Sequence, residues 1–186
     1  MKEHELHNYK LVLQYEGIRY NGWQKQKNQE NTIQEVVENA VFDGTGERAE
    51  VIGSGRTDAG THAMGQVANV KLGQDLEPER LMDNINKHLP SDIKILECEK
   101  VDNRFHARLN AKAKTYMYTL CVGKKPDVFN RRTVLHYCAD LDVDAMKKAA
   151  EYLKGEHDFM SFCSNKRTKK STVRKIYDIE IIKDGD

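Results

Sequence analysis

GSGRTDAGTHAMGQV, Gly53 to Val67, is the stretch whose reading decides the fold of this chain. Four glycines, Gly53, Gly55, Gly60 and Gly65, surround Arg56 and Asp58, a composition that spells a tight irregular turn between two extended segments. Glycine supplies the positive-φ and close-approach positions that such a turn needs. A carboxylate held there, two residues after an arginine, has three readings. Asp58 can cap its own backbone in an Asx turn. The loop can cradle a phosphate, although the Gly-x4-Gly-Lys-Ser/Thr spacing is lacking and an anion occupies the place of the phosphate. Or Asp58 is a reactive carboxylate, with Arg56 as its electrostatic partner or as a hand on an anionic substrate.

Outward from the turn, Ala49 to Ile52 and Gln66 to Leu72 read as its flanking strands. Tyr9 to Tyr15 alternates, with Leu11, Leu13 and Tyr15 on one side and Lys10, Val12 and Gln14 on the other, which predicts a half-buried strand. YEGIRYNGWQ, Tyr15 to Gln24, makes a glycine-broken loop in which Trp23 reads as a core anchor, while Gln24 and Gln26 could reach a nucleic acid. Thr32 and Glu35 form a capping box, followed at helical spacing by Ile33, Val36, Val37, Ala40 and Val41, a packed helix expected to carry no chemistry. A second helix begins near Pro78, buries Leu81, Met82, Ile85 and Leu89 and ends before Pro90; Ile93 to Cys98 returns as a strand. Residues 9 to 99 therefore read β-α-β-β-α-β, the ferredoxin-like order, with the Asp58 turn between the two middle strands.

The second half begins the same way. Lys112 to Val122 predicts a strand with Tyr116, Tyr118, Leu120 and Val122 on one face. Val143, Met146, Ala149, Ala150 and Leu153 predict a helix closed by Gly155, and Val173 to Ile182 another strand. A hairpin turn is expected at Lys183 to Asp186; by the count of the first half, a strand, a helix and a strand are then missing. This divides the chain into residues 1–100, with the carboxylate turn, and residues 101–186, a second half that is incomplete.

A length of 186 residues is enough for one large or two small cores, and 39% hydrophobic with 32% charged residues describes a soluble globular protein. No apolar run approaches the ~20 residues of a membrane span and no signal-peptide core follows the N-terminus, so a cytoplasmic location without membrane attachment is expected. Cys98, Cys121, Cys138 and Cys163 are scattered without zinc-ligand spacing and read as buried reduced thiols; His4 and His7 make a weak metal case, and no metal is expected. Net charge is only +1, but its distribution is uneven. Arg104 to Arg132 holds eight Lys or Arg against the single acid Asp127, and Lys166 to Lys175 holds six against none, a segregation suited to an anionic polymer lying on one face.

The wording of the turn also points to a family. GRTDAGTHA resembles the GRTDAGVHA signature of the tRNA pseudouridine synthase A family, with Thr61 in place of the valine. YEGIRYNGWQ, TIQ (Thr32 to Gln34), FHAR (Phe105 to Arg108), KTYMY (Lys114 to Tyr118), GEHDFMSF (Gly155 to Phe162) and TVRKI (Thr172 to Ile176) match in the same order. The resemblance implies an α+β pseudouridine synthase fold of two ferredoxin-like halves with mainly antiparallel sheets, an active cleft between them, and a homodimer. It implies conversion of uridine to pseudouridine at positions 38, 39 and 40 of the tRNA anticodon stem-loop, without redox change or cofactor. Asp58 becomes the essential carboxylate, attacking ribose C1' or uracil C6 or helping to remove a ribose proton, and the sequence does not choose among these. Arg56 becomes the side chain that fills the gap left by the extruded base, and Tyr116, the first tyrosine of Lys/Arg-x-Tyr-x-Tyr, the surface that holds the ring. The family's segment around Gly-Phe-Leu-x-x-Met-Val-Arg, whose arginine is expected to pair with the aspartate, has no match here. The alternatives are therefore an RNA-binding module without turnover and a structural interaction domain.

Overall fold

A computed structural model describes residues 6–26, 30–123, 125, 127–163 and 171–184. It is an α+β structure, divided into two compact units, residues 1–117 and 118–186.

In the first unit the element order is β1 (His7–Tyr15), α1 (Ile33–Thr45), β2 (Val51–Gly53), β3 (Ala63–Leu72), α2 (Pro78–Asn86) and β4 (Ile93–Val101). The strands form one antiparallel sheet in the order β2-β3-β1-β4, so the most regular apolar alternation in the chain lies at its centre. Tyr9, Leu11, Leu13 and Tyr15 of β1 are buried on one face against Val37 and Val41 of α1 and Leu81 and Ile85 of α2. Both helices start as their sequences dictate. Thr32 accepts a hydrogen bond from the Glu35 amide, and Pro78 occupies the first turn of α2, where its missing N–H costs nothing. The returning half of the capping box is displaced by one residue, because Glu35 accepts from the Asn31 amide, at 3.2 Å.

On the opposite face of the sheet two polar side chains that periodicity did not single out are buried. Asn8 on β1 and Asn69 on β3 are fully buried and bonded to each other, Asn69 Nδ2 donating to Asn8 Oδ1 at 3.1 Å. Asn8 Nδ2 donates to the carbonyls of Asp102 and Phe105, and Asn69 Oδ1 accepts from the Ala107 amide at 2.9 Å. Every amide atom of the pair is thereby occupied, which is the condition for burying it without a large desolvation penalty. The pair fixes the segment from 102 to 107 against the sheet and so determines where the following Arg108 emerges.

The second unit contains β5 (Leu120–Val122), β6 (Leu135–Tyr137), α3 (Val143–Glu151), β7 (Gly155–Asp158) and β8 (Val173–Ile176). β5 pairs with β6 in parallel and β7 with β8 antiparallel. Helix α3 is capped by Asp142, which accepts from the Ala145 amide. Two expected strands are shorter than their alternation suggested: of Lys112 to Val122 only residues 120–122 are strand, and of Val173 to Ile182 only 173–176. Alternation fixes which side of an extended segment is apolar, but a strand also requires a neighbour to accept its ladder. Here β5 is matched over three residues and β8 over four.

The four cysteines are not the buried thiols expected, since Cys138 is exposed and the others half-buried. His4, Lys124 and the basic residues Lys166, Arg167, Lys169 and Lys170 lie outside the described residues. No helix among the described residues is long and apolar enough to cross a membrane.

Candidate active site

The turn between β2 and β3 is tied down along its length. Leaving β2, the Ser54 amide donates to the Val67 carbonyl at 2.7 Å, and the Gln66 side chain bonds both Ser54 Oγ and the Gly55 carbonyl. At its centre the Thr57 carbonyl accepts from the Trp23 amide at 3.0 Å, and Thr57 Oγ1 bonds the Tyr15 hydroxyl at 2.9 Å. Further on, the Gly60 amide donates to the Tyr20 carbonyl, and Gly60 itself takes φ 80° as the Thr61 amide turns back to the Asp58 carbonyl.

Three of these contacts come from Tyr15, Tyr20 and Trp23, at the end of β1 and in the glycine-broken loop after it. Gly22, at φ 81°, lies so close that a Cβ would come within 2.6 Å of the Thr57 carbonyl oxygen. A Cβ on Gly53 would meet the Trp23 ring at 2.6 Å, and Trp23 is 1% exposed. The tryptophan is thus the core anchor its sequence position suggested, and it forms the floor beneath the start of the turn. Tyr15 packs beside it with ring centroids 6.1 Å apart.

Asp58 is exposed at the crest. Among the described residues its carboxylate has no hydrogen-bond or ion-pair partner. The Asx-turn reading fails on this point, because it is the main-chain oxygen of Asp58, not the side chain, that closes the turn. A backbone fixed at several points with a carboxylate left uncommitted is the arrangement expected of a group reserved for a ligand.

Arg56, also exposed, donates from Nε to Gln24 Oε1 at 3.2 Å. Lys114 reaches the same turn, its Nζ 2.6 Å from where a Cβ on Gly55 would lie. Arg56, His106 and Arg108 line a cleft of about 330 Å³ together with Gln24 and Glu50. Cations from the turn and from the FHAR segment therefore line one cleft, and Lys114 from the start of KTYMY lies beside Gly55 of the same turn, although these are distant in sequence. Tyr116 is 73% exposed, in a segment that is not part of a strand.

The loop carrying Tyr20 is clamped from below. The Tyr20 hydroxyl donates to Asp92 Oδ1 at 2.7 Å, and Arg19 meets the other oxygen of the same carboxylate at 2.6 and 2.8 Å. Burial, and then the neighbouring carboxylate, pushes the Tyr20 phenol up to about 12. A phenol whose pKa is higher folded than unfolded contributes its full stability below about pH 10 and loses it as the pH rises toward 12. Stability is accordingly expected to decline across that interval. Tyr20→Phe, followed by urea unfolding at several pH values, should flatten the decline without removing it, since burial raises Tyr15 as well.

The profile of the family described as tRNA pseudouridine synthase matches residues 11–110 and 149–186. The chain belongs to the tRNA pseudouridine synthase family. It is 43% identical over 180 residues to tRNA pseudouridine synthase A 2 of Bacillus cereus, covering 97% of this chain and 74% of the relative. It is 46% identical over 176 residues to tRNA pseudouridine synthase A of a Bacillus strain, covering 95% and 72%. For the tRNA pseudouridine synthase A of Acetivibrio thermocellus the identity is 41% over 176 residues, with 95% and 72% covered. The resemblance read from the turn and its companion motifs thus holds over nearly the whole chain.

Within this family member, sequence reasoning missed the side chains behind Arg56. Helix α1, expected to be only a packing element, supplies Gln34 and Glu38 to a hydrogen-bonded chain ending at the arginine. Its signal was present in Gln34, the last residue of TIQ, whereas Gln24, read as a residue that could reach a nucleic acid, is the one through which Gln34 meets Arg56.

Proposed function

We propose that this chain isomerises uridine to pseudouridine in tRNA, at positions 38, 39 and 40 of the anticodon stem-loop, with Asp58 as the essential carboxylate. The observation that carries the residue assignment is the turn itself: its backbone is held from both sides while the Asp58 carboxylate is exposed and unpaired among the described residues. In the reaction the uracil N1–C1' bond breaks and a C5–C1' bond forms; the C5 hydrogen leaves as a proton and N1 gains one. Electrons balance within the nucleoside, so the chemistry is that of an isomerase.

A base inside a helical stem must leave its stack to be reached, at a cost of a few kcal/mol. Arg56 is the residue proposed to occupy the gap, because a planar guanidinium both stacks and pairs with phosphate. Tyr116 offers an exposed ring on which the extruded base can lie, a contact worth about 1–3 kcal/mol per base. Arg108 and Lys114 supply positive charge for the flanking backbone. Asp58 then acts by attack on C1' or C6, or by assisting loss of a ribose proton.

The ferredoxin-like reading of the first unit is supported by its β-α-β-β-α-β order and its sheet order β2-β3-β1-β4. A homodimer is part of the proposal, supported by exposed apolar side chains in residues 118–186, among them Leu135, Tyr152, Phe162 and Ile182.

Carbodiimide labelling of pseudouridine, read by primer extension on unmodified tRNA incubated with the chain, tests the assignment. The polymerase halts one nucleotide 3' of a labelled base, and stops that place pseudouridine at 38, 39 and 40 support it. Stops elsewhere refute the anticodon-stem specificity, and no new stops refute the activity.

A further inference from the structure

Among the described residues the partner of Arg56 is Gln24, not Asp58. What orients Gln24 is less obvious, because an amide side chain can turn over and exchange its oxygen for its nitrogen. Such a group is fixed only by partners of fixed polarity. Among the described residues Gln24 has none on the main chain, but it bonds to a second amide that does, its Nε2 donating to Gln34 Oε1 at 2.8 Å.

Gln34 is held at both ends by the backbone. The Lys25 amide, which can only donate, meets Gln34 Oε1 at 2.9 Å; the Val51 carbonyl, which can only accept, meets Gln34 Nε2 at 3.2 Å. The same Nε2 donates to Glu38 Oε1 at 3.1 Å, and Glu38 is itself fixed by the Val51 amide at 3.2 Å and by Lys25 Nζ at 3.3 Å. Gln34 therefore has one permitted orientation, oxygen toward Gln24. That forces the Gln24 NH2 inward and leaves the Gln24 oxygen for Arg56 Nε. With Nε engaged, both Nη groups of the guanidinium are left without a partner among the described residues.

We propose that Gln24 and Gln34 are positioning residues for the isomerisation. They form an amide relay that converts the backbone polarity of β2 and Lys25 into a fixed orientation of the Arg56 guanidinium, Nε toward the protein and both Nη groups toward the RNA. The inference rests on the reading of Arg56 as the side chain that enters the gap left by the extruded nucleotide. It also gives α1 a second role. The helix covers the outward N–H and C=O of Val51 at the sheet edge and, through Gln34 and Glu38, sets the geometry of the site.

A relay and a merely structural pair differ in how their losses combine. Single-turnover isomerisation of tRNA would be compared for wild type, Arg56→Ala, Gln24→Met and the double variant, with tRNA binding and urea unfolding measured alongside. Gln24 is half-buried and Gln34 only 4% exposed, so Gln24 is the residue to change, with Gln24→Ala as a second variant should the methionine fold poorly. Arg56→Ala is expected to slow the reaction about a hundredfold, on the scale of removing one aimed donor. Gln24→Met should slow it about tenfold with tRNA affinity within about twofold, as for loss of one bond to a charged group. In the Arg56→Ala background Gln24→Met should do nothing further, because the group it orients is gone. A double variant slower than Arg56→Ala by the full Gln24 factor overturns the relay while leaving the role of Arg56 standing. A wild-type rate for Arg56→Ala overturns the role of Arg56 itself, and the relay with it.

Discussion

Asp58→Ala and Asp58→Asn are each expected to abolish pseudouridine formation, lowering the rate about 10³-fold or more, the scale seen when a reacting group is removed. That loss corresponds to about 4 kcal/mol of transition-state stabilisation. The same substitutions should leave folding untouched. The carboxylate is exposed, has no partner among the described residues and contributes nothing to the turn that its own main-chain oxygen closes. Binding of tRNA should persist or tighten slightly, because a negative charge is removed beside an anionic ligand. A variant that binds tRNA, unfolds at the wild-type urea concentration and yet releases no product is the expected combination. Turnover within tenfold of wild type in Asp58→Asn, which keeps the size and removes the charge, would take the chemistry away from this residue.

Trp23→Ala should have the largest effect on stability, about 3–5 kcal/mol, from the lost burial of a large ring and the cavity that remains. Trp23 is 1% exposed, packs against Tyr15 and lies within contact distance of the Gly53 backbone. Its main chain also bridges two parts of the site, the amide donating to the Thr57 carbonyl and the carbonyl accepting from the Gln34 amide. The damage is therefore expected to extend from the core into the turn, with turnover falling even at temperatures where the variant stays folded. Trp23→Phe should retain part of both. Urea unfolding followed by circular dichroism is the suitable measurement, since the variant has lost the chain's single tryptophan. A cost below about 1 kcal/mol, the level of an ordinary surface change, would mean that the ring does not support the turn.

The parts of the fold that could be read from sequence are those set by local periodicity. Leu11, Leu13 and Tyr15 announced the central strand by alternation, and Thr32 and Pro78 announced the helix starts by their chemistry at the first turn. Lys112 to Val122 and Val173 to Ile182 were read too long because side-chain alternation carries no information about whether a partner strand lies alongside. The candidate site was legible as a motif and illegible as a structure. Glycines around Asp58 marked the turn, but the bond from Arg56 to Gln24 spans 32 residues and that from Asn69 to Asn8 spans 61. Long-range polar pairs leave no periodic trace. Only two glutamines and two asparagines, each ordinary in its own neighbourhood, hinted at them.

Release of tritium from tRNA labelled at uridine C5 follows the C5–H bond, which must break if the base is rejoined to ribose through that carbon. The full chain is expected to free more than one equivalent of tritium per protein, and its Asp58→Ala variant none above background. Retention of the label by wild-type chain that demonstrably binds the tRNA would contradict the account.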